Sequence, residues 1–340
     1  MKLKRSTAIW IGLLSALSLL PGMAQAQDPA GRRGPAVLAS AGTSRVTSPP
    51  VGKTAGQSRR TGMDPVDDRV ELREYFFADT DEWLPYAVFV SSKVSKDKKA
   101  PLVLALHGFS GNHGTFMRTP CVEEAEKNGY ILVGVMGYSP SGPFGRTMGA
   151  RGAAPGAVPG APSVGAPGAP SAAAPGAPPV AARGPAPGPF PGRSGPPVGG
   201  TKETDRERVS ALSEKDTMNV LEMVRKEFNV DDNRIYLMGH SMGGAGALYL
   251  GEKYAPLWTA VAALAGFSSL DPKGKMKDTP LFLTAGSLDR SSGTGKALAE
   301  ELKAGGMVCE FKEIPGLDHG GIIGGAMPDV FQFFNEHMKK

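Results

Sequence analysis

The pentapeptide Gly239-His240-Ser241-Met242-Gly243 joins an apolar, β-forming run at 234–238 to a small-residue stretch at 244–250, with no proline before Pro256. A buried strand that turns at once into a helix, with serine at the apex, is a nucleophile elbow. The turn is so sharp that the residues two before and two after the serine nearly touch, and a Cβ at either would clash. Both are glycine. With 46 glycines in 340 residues the bare pattern arises about 0.4 times by chance, so the flanking strand and helix carry the assignment. Upstream, Asp231-Asp232-Asn233 supplies a turn into that strand.

The rest of the chain alternates in the same way. Residues 74–78 and 85–91 read as two strands across a turn at 79–82. The continuous apolar run at 101–106 predicts a buried central strand, and 130–136 a second. Helices are predicted over 119–128 and over 213–228, the latter carrying Val220, Leu221, Val224 and Phe228 at helical spacing. After the elbow come strands at 259–264, 280–285 and 307–313 and helices near 294–304 and 328–338. Such alternation specifies one α/β domain, a mostly parallel central sheet with helices on both faces. With the elbow in place, the expectation is an α/β-hydrolase fold.

Outside that series the composition changes. Lys2, Lys4 and Arg5, an apolar core at 8–20 and Ala24-Gln25-Ala26 predict a cleavable signal peptide over 1–26, too short in its core to span a bilayer. The mature chain is then expected near Gln27, secreted or periplasmic. Residues 27–62, rich in Gly, Pro, Ser, Thr and Arg, read as a disordered leader, and the folded domain is expected over 63–340. A low-complexity Ala/Pro/Gly insertion interrupts it at about 139–200; its glycines lack the period of three that a collagen helix needs. Both a lid and a tolerated expansion fit the insertion.

Formal net charge is +5, but the signal, leader and insertion together carry +12, which leaves the rest of the chain near −7. The basicity therefore belongs to the flexible segments, which suit weak contact with anionic surfaces, and argues against a nucleic-acid groove. Cys121 and Cys309 have neither the neighbours of a catalytic thiol nor a metal-site spacing, and the sequence leaves their pairing open. Nothing in the chain calls for a metal or an organic cofactor.

A serine hydroxyl needs a base to take its proton, and in this fold the acid and then the histidine follow the serine in sequence. Of five histidines, His107 and His113 precede Ser241, His240 is locked into the elbow and His337 sits on the terminal helix. His319, in the loop Pro315-Gly-Leu-Asp-His-Gly-Gly321 after a late strand, is the candidate base. The orienting acid is expected at the end of the preceding strand, where Gly286-Ser-Leu-Asp289 places Asp289; Asp318 and Asp271 compete. Acyl transfer also needs oxyanion donors. The backbone N–H groups of Met242 and of Phe109, in Leu106-His107-Gly108-Phe109, are the expected pair.

With these residues in place the chain resembles the secreted α/β-hydrolases grouped as polyhydroxybutyrate-depolymerase-like and feruloyl-esterase-like enzymes, bordering on prolyl-oligopeptidase-type hydrolases. The passages that carry the resemblance are PLVLALHGFSGN, NGYILVGVMGYSP, LSEKDTMNVLEMVRKEFNVDDNRIYLMGHSMGG, LFLTAGSLD and GLDHGG, spanning about 99–325. The resemblance implies Ser241, Asp289 and His319 as a catalytic triad. Relatives carry a short loop where this chain has its insertion, and no appended polymer-binding domain is read in these residues; both departures count against the expectation of a specific polymer substrate.

Three function classes follow. The first is a serine hydrolase of carboxylic esters, with a small-molecule or polymeric ester as partner. The second is a serine peptidase of prolyl-oligopeptidase type, although no room for a gating domain exists before residue 99. The third is a non-catalytic cell-envelope binding protein on a hydrolase scaffold. Phe109, Phe116, Phe144, Phe267 and Met242 are candidates to line an acyl pocket, or equally ordinary packing residues.

Overall fold

A computed structural model describes residues 44–46, 66–146 and 199–339. The signal segment, the leader other than 44–46, and 147–198 of the insertion lie outside the described residues. In chain order the elements are β1 (Ser44–Val46), β2 (Glu71–Phe77), β3 (Glu82–Val90), β4 (Ala100–Leu106), α1 (Thr119–Asn128), β5 (Ile131–Val135), α2 (Arg206–Glu227) and β6 (Val230–His240). There follow α3 (Met242–Lys253), β7 (Ala260–Leu264), β8 (Leu281–Gly286), α4 (Ser292–Ala304), β9 (Cys309–Ile314), α5 (Ile322–Gly325) and α6 (Met327–Glu336).

The strands form one sheet in the order β1-β2-β3-β5-β4-β6-β7-β8-β9. β1, β2, β3 and β5 pair antiparallel, and every pairing from β5 through β9 is parallel. β4 is flanked by β5 on one side and β6 on the other, so the chain reverses its direction across the sheet beside β4. In open α/β sheets the carboxyl ends of the strands at such a reversal form the ligand crevice.

β4 reads as a continuous apolar run because both its faces are covered. Leu102, Leu104 and Leu106 pack with residues of α2, α3 and α4, while Val103 and Ala105 pack with α1, α5 and α6. Each such fully buried leucine or valine contributes about 1.5–3 kcal/mol of burial. Cys121 belongs to the second cluster and Cys309 to the first; they are free, buried thiols on opposite faces of the sheet. Among the described residues no helix is long and apolar enough to cross a membrane.

The α1 bounds match the expected 119–128: Pro120 opens the helix, and Gly129, at φ 77°, closes it by donating its N–H to the Ala125 and Glu126 carbonyls. Elsewhere the structure departs from the pattern. α2 starts seven residues early, capped by Asp205, whose side chain accepts the Arg208 N–H. Its inner face holds Ser213 and Thr217, whose hydroxyls bond back to the Val209 and Ser213 carbonyls, so polar residues occupy positions that periodicity reserves for apolar ones. The turn expected at 231–233 is an irregularity within β6: Val230 pairs with Ala100 and Ile235 with Leu102. Inside the span read as a disordered leader, Ser44–Val46 forms an edge strand on β2, where Arg45 pairs with Glu74 and lies 3.9 Å over the Trp83 ring.

Candidate active site

Ser241 stands where β6 ends and α3 begins, with φ 55° and ψ −114°. A non-glycine residue held at positive φ carries strain of about 1–3 kcal/mol that its surroundings must impose. They do so from three sides. The Ser241 N–H donates to Leu264 on β7, and a Cβ on Gly266 would lie 1.8 Å from the Ser241 carbonyl. A Cβ on Gly243 would lie 2.2 Å from the Leu106 carbonyl, so only glycine lets the elbow close against β4.

The structure brings Ser241, His319 and Asp289 together from the ends of three strands. His319 Nε2 lies 2.9 Å from Ser241 Oγ, and its Nδ1 lies 2.5 Å from Asp289 Oδ2. The carboxylate can only accept, so Nδ1 carries the imidazole proton and Nε2 faces the serine hydroxyl as an acceptor. The Asp289 side chain is 6% exposed against 53% for His319. Burial pushes the Asp289 carboxyl up, but hydrogen bonds from the Ser291 backbone N–H and from His319 outweigh it and hold it below its ordinary range. It is therefore an anion that anchors the imidazole.

The competing acids are committed elsewhere. Asp318 accepts the N–H groups of Gly320 and Gly321 within its own loop, and Asp271 accepts that of Lys273. The other histidines outside the elbow stand away from the serine: His107 lies between the Gly108 and Met136 carbonyls, His337 rests on the Phe333 carbonyl, and His113 has its pKa pushed down to about 4 chiefly by burial.

Beside the serine, the loop after β4 comes so close that a Cβ on Gly108 would lie 3.3 Å from the Ser241 Cβ. The backbone N–H groups of Phe109 and Met242 make no hydrogen bond among the described residues, as two donors kept open for an incoming oxyanion would be. Ser110 N–H donates to Pro140, tying this loop to the segment after β5. Of the five candidate pocket residues, Phe116 and Phe144 are fully buried packing; Phe144 meets His107 edge-on at 5.4 Å. Phe109 is 65% exposed, as is Leu288 beside Asp289 at 69%, while Met242 and Phe267 are partly exposed. Sequence reasoning treated His240 as a mere part of the elbow, yet its Nε2 lies 2.6 Å from the His319 carbonyl.

Residues 203–302, which include α2, the elbow and Asp289, match the Esterase family model. No curated protein matches the chain. Among solved structures it is similar to an S-formylglutathione hydrolase from Agrobacterium tumefaciens, with TM-score 0.51 and 15% identity over 79% of this chain and 95% of that one. A ferulic acid esterase from Anaeromyces mucronatus, solved with ferulic acid, gives TM-score 0.50 and 15% identity over 78% and 90%. A thermostable esterase gives 0.50 and 18% over 81% of this chain, which spans 64% of the length of that protein. The fold is that of the α/β-hydrolases. At these identities the solved structures speak for the architecture alone, and the family match reaches residues 203–302.

Proposed function

We propose that the protein is a serine hydrolase that cleaves carboxylic esters through an acyl-enzyme, with Ser241 as nucleophile, His319 as base and Asp289 as orienting acid. The observation that supports this most is His319 itself, in hydrogen-bond reach of the Ser241 hydroxyl through one ring nitrogen and of the Asp289 carboxylate through the other.

In this reading Ser241 Oγ attacks the ester carbonyl carbon while His319 Nε2 takes the hydroxyl proton. The carbonyl oxygen becomes an oxyanion facing the Phe109 and Met242 N–H groups, each such donor being worth about 2.7–4 kcal/mol to the transition state. His319 then returns the proton to the departing alkoxide, and the alcohol leaves. Water repeats the sequence on the acyl-enzyme, releasing the carboxylic acid and restoring Ser241. Asp289 holds the Nδ1–H tautomer throughout and stabilises the imidazolium. Residues 1–26 support export of the mature chain to a secreted or periplasmic location.

The test is turnover of short and medium p-nitrophenyl esters beside a matched peptide anilide, by the protein and its Ser241→Ala variant. Ester turnover that disappears in the variant is expected. Turnover of the anilide alone would replace the esterase with a peptidase.

A further inference from the structure

His240 lies between the two loops that the proposed chemistry requires. It ends β6 and is 7% exposed. Its Nε2 is 2.6 Å from the carbonyl of His319, and the two imidazole centroids are 4.7 Å apart. On the other edge a Cβ placed on Gly108 would lie 2.8 Å from His240 Nδ1. A carbonyl only accepts, so Nε2 carries the proton and donates it, and Nδ1 is bare toward Gly108. Burial, against the hydrogen bond to His319, holds this imidazole neutral down to about pH 4.

The loop at 315–321 is otherwise exposed or half-buried. It is tied to the end of β8 through the Leu288 N–H to the Leu317 carbonyl and the Gly316 N–H to Ser287 Oγ. At His319 itself, the bond from His240 is what fixes the main chain against β6. A main-chain rotation there would swing Nε2 away from Ser241 Oγ, and reactive geometry is steep enough that displacement of about 1 Å costs about 100-fold in rate.

We propose that His240 is a positioning residue: its Nε2–H holds the His319 main chain so that the His319 imidazole meets Ser241, while its other edge seats the oxyanion loop at Gly108. The proposal rests on the triad reading above. It separates two roles within one motif, Ser241 for chemistry and the residue before it for registering the base.

The experiment compares the purified protein with His240→Met, which keeps volume but has no donor, and His240→Gln, which keeps an N–H donor, with Ser241→Ala alongside. His240→Met is expected to lower kcat on p-nitrophenyl acetate about 10- to 100-fold with KM within about threefold, and His240→Gln to recover to within about fivefold of the parent. The downfield proton resonance of the His319–Asp289 pair is expected in the parent and in His240→Gln and to be broadened or lost in His240→Met, at unchanged circular dichroism. A His240→Met enzyme with parental kcat and an unaltered resonance would overturn the proposal while leaving the triad intact. Equal losses in the Met and Gln variants, or failure of both His240→Met and His240→Ala to fold beside a folded but equally slow His240→Gln, would assign His240 a structural role only. Parental turnover in Ser241→Ala would sink the triad reading itself.

Discussion

A Cβ on Gly239 would lie 2.1 Å from the carbonyl oxygen of Gly243, across the turn that carries Ser241. Backbone faces backbone there, so no side chain can move aside. Gly239→Ala is expected to destabilise the fold by about 2–4 kcal/mol in urea unfolding and to abolish turnover in what remains folded. Gly293→Ala, where a Cβ meets nothing within 4 Å, serves as control. It is expected to leave stability unchanged or to raise it by up to about 1 kcal/mol.

Asp289→Asn keeps the shape of the proposed orienting acid but offers His319 Nδ1 an amide, which favours the wrong tautomer. Steady-state kinetics on a p-nitrophenyl ester are expected to give a kcat about 100- to 10,000-fold lower with a nearly unchanged KM. Asp318→Asn, whose side chain only receives the Gly320 and Gly321 N–H groups, is expected to stay within about threefold.

His240 gives the stability a pH dependence of known sign. Burial lowers its pKa from 6.5 to about 4, whereas in the unfolded chain it titrates near its ordinary value. Between those two pH values the unfolded state binds the extra proton. The contribution is therefore fully present above 6.5 and is lost as pH falls toward 4, at up to about 1.4 kcal/mol per pH unit. Urea unfolding of the parent and His240→Gln across this window is expected to show that slope in the parent and not in the variant.

Asp216 works in the opposite direction. It lies on the buried face of α2, with Oδ1 accepting the Tyr75 hydroxyl at 2.7 Å, and burial pushes it up from 3.8 to about 7 against the hydrogen bonds from Tyr75 and Gly137. The folded state keeps a proton that the unfolded state has lost, so this group costs stability as pH rises from 3.8 through 7. The stability of Asp216→Asn relative to the parent is expected to increase with pH over that window; a flat or falling difference would mean that Asp216 is ionised in the fold.

Much of this was legible in the sequence because the determinants are local. Continuous apolar runs mark strands covered on both faces, as in β4 and β5, and the paired glycines around Ser241 report a contact made within five residues. The placement of Asp289 and His319 beside Ser241 was legible because each follows a strand that ends at the same edge of the sheet as β6. The start of α2 was hidden because Ser213, Asp216 and Thr217 are polar yet buried: the two hydroxyls bond to carbonyls one turn back, and Asp216 Oδ1 accepts from Tyr75, 141 residues away in the chain. β1 was hidden for a similar reason, since Ser44–Val46 becomes a strand only through pairing with β2. The bond from His240 to the His319 carbonyl joins residues 79 apart, and no local pattern encodes it.

The most direct test of the triad is the intact mass and peptide map of the protein after reaction with a fluorophosphonate, run beside Ser241→Ala and His319→Ala. The account requires one adduct per chain, on the peptide containing Ser241, absent from the first variant and formed far more slowly in the second. An adduct on another residue, or none on a folded protein, would contradict it.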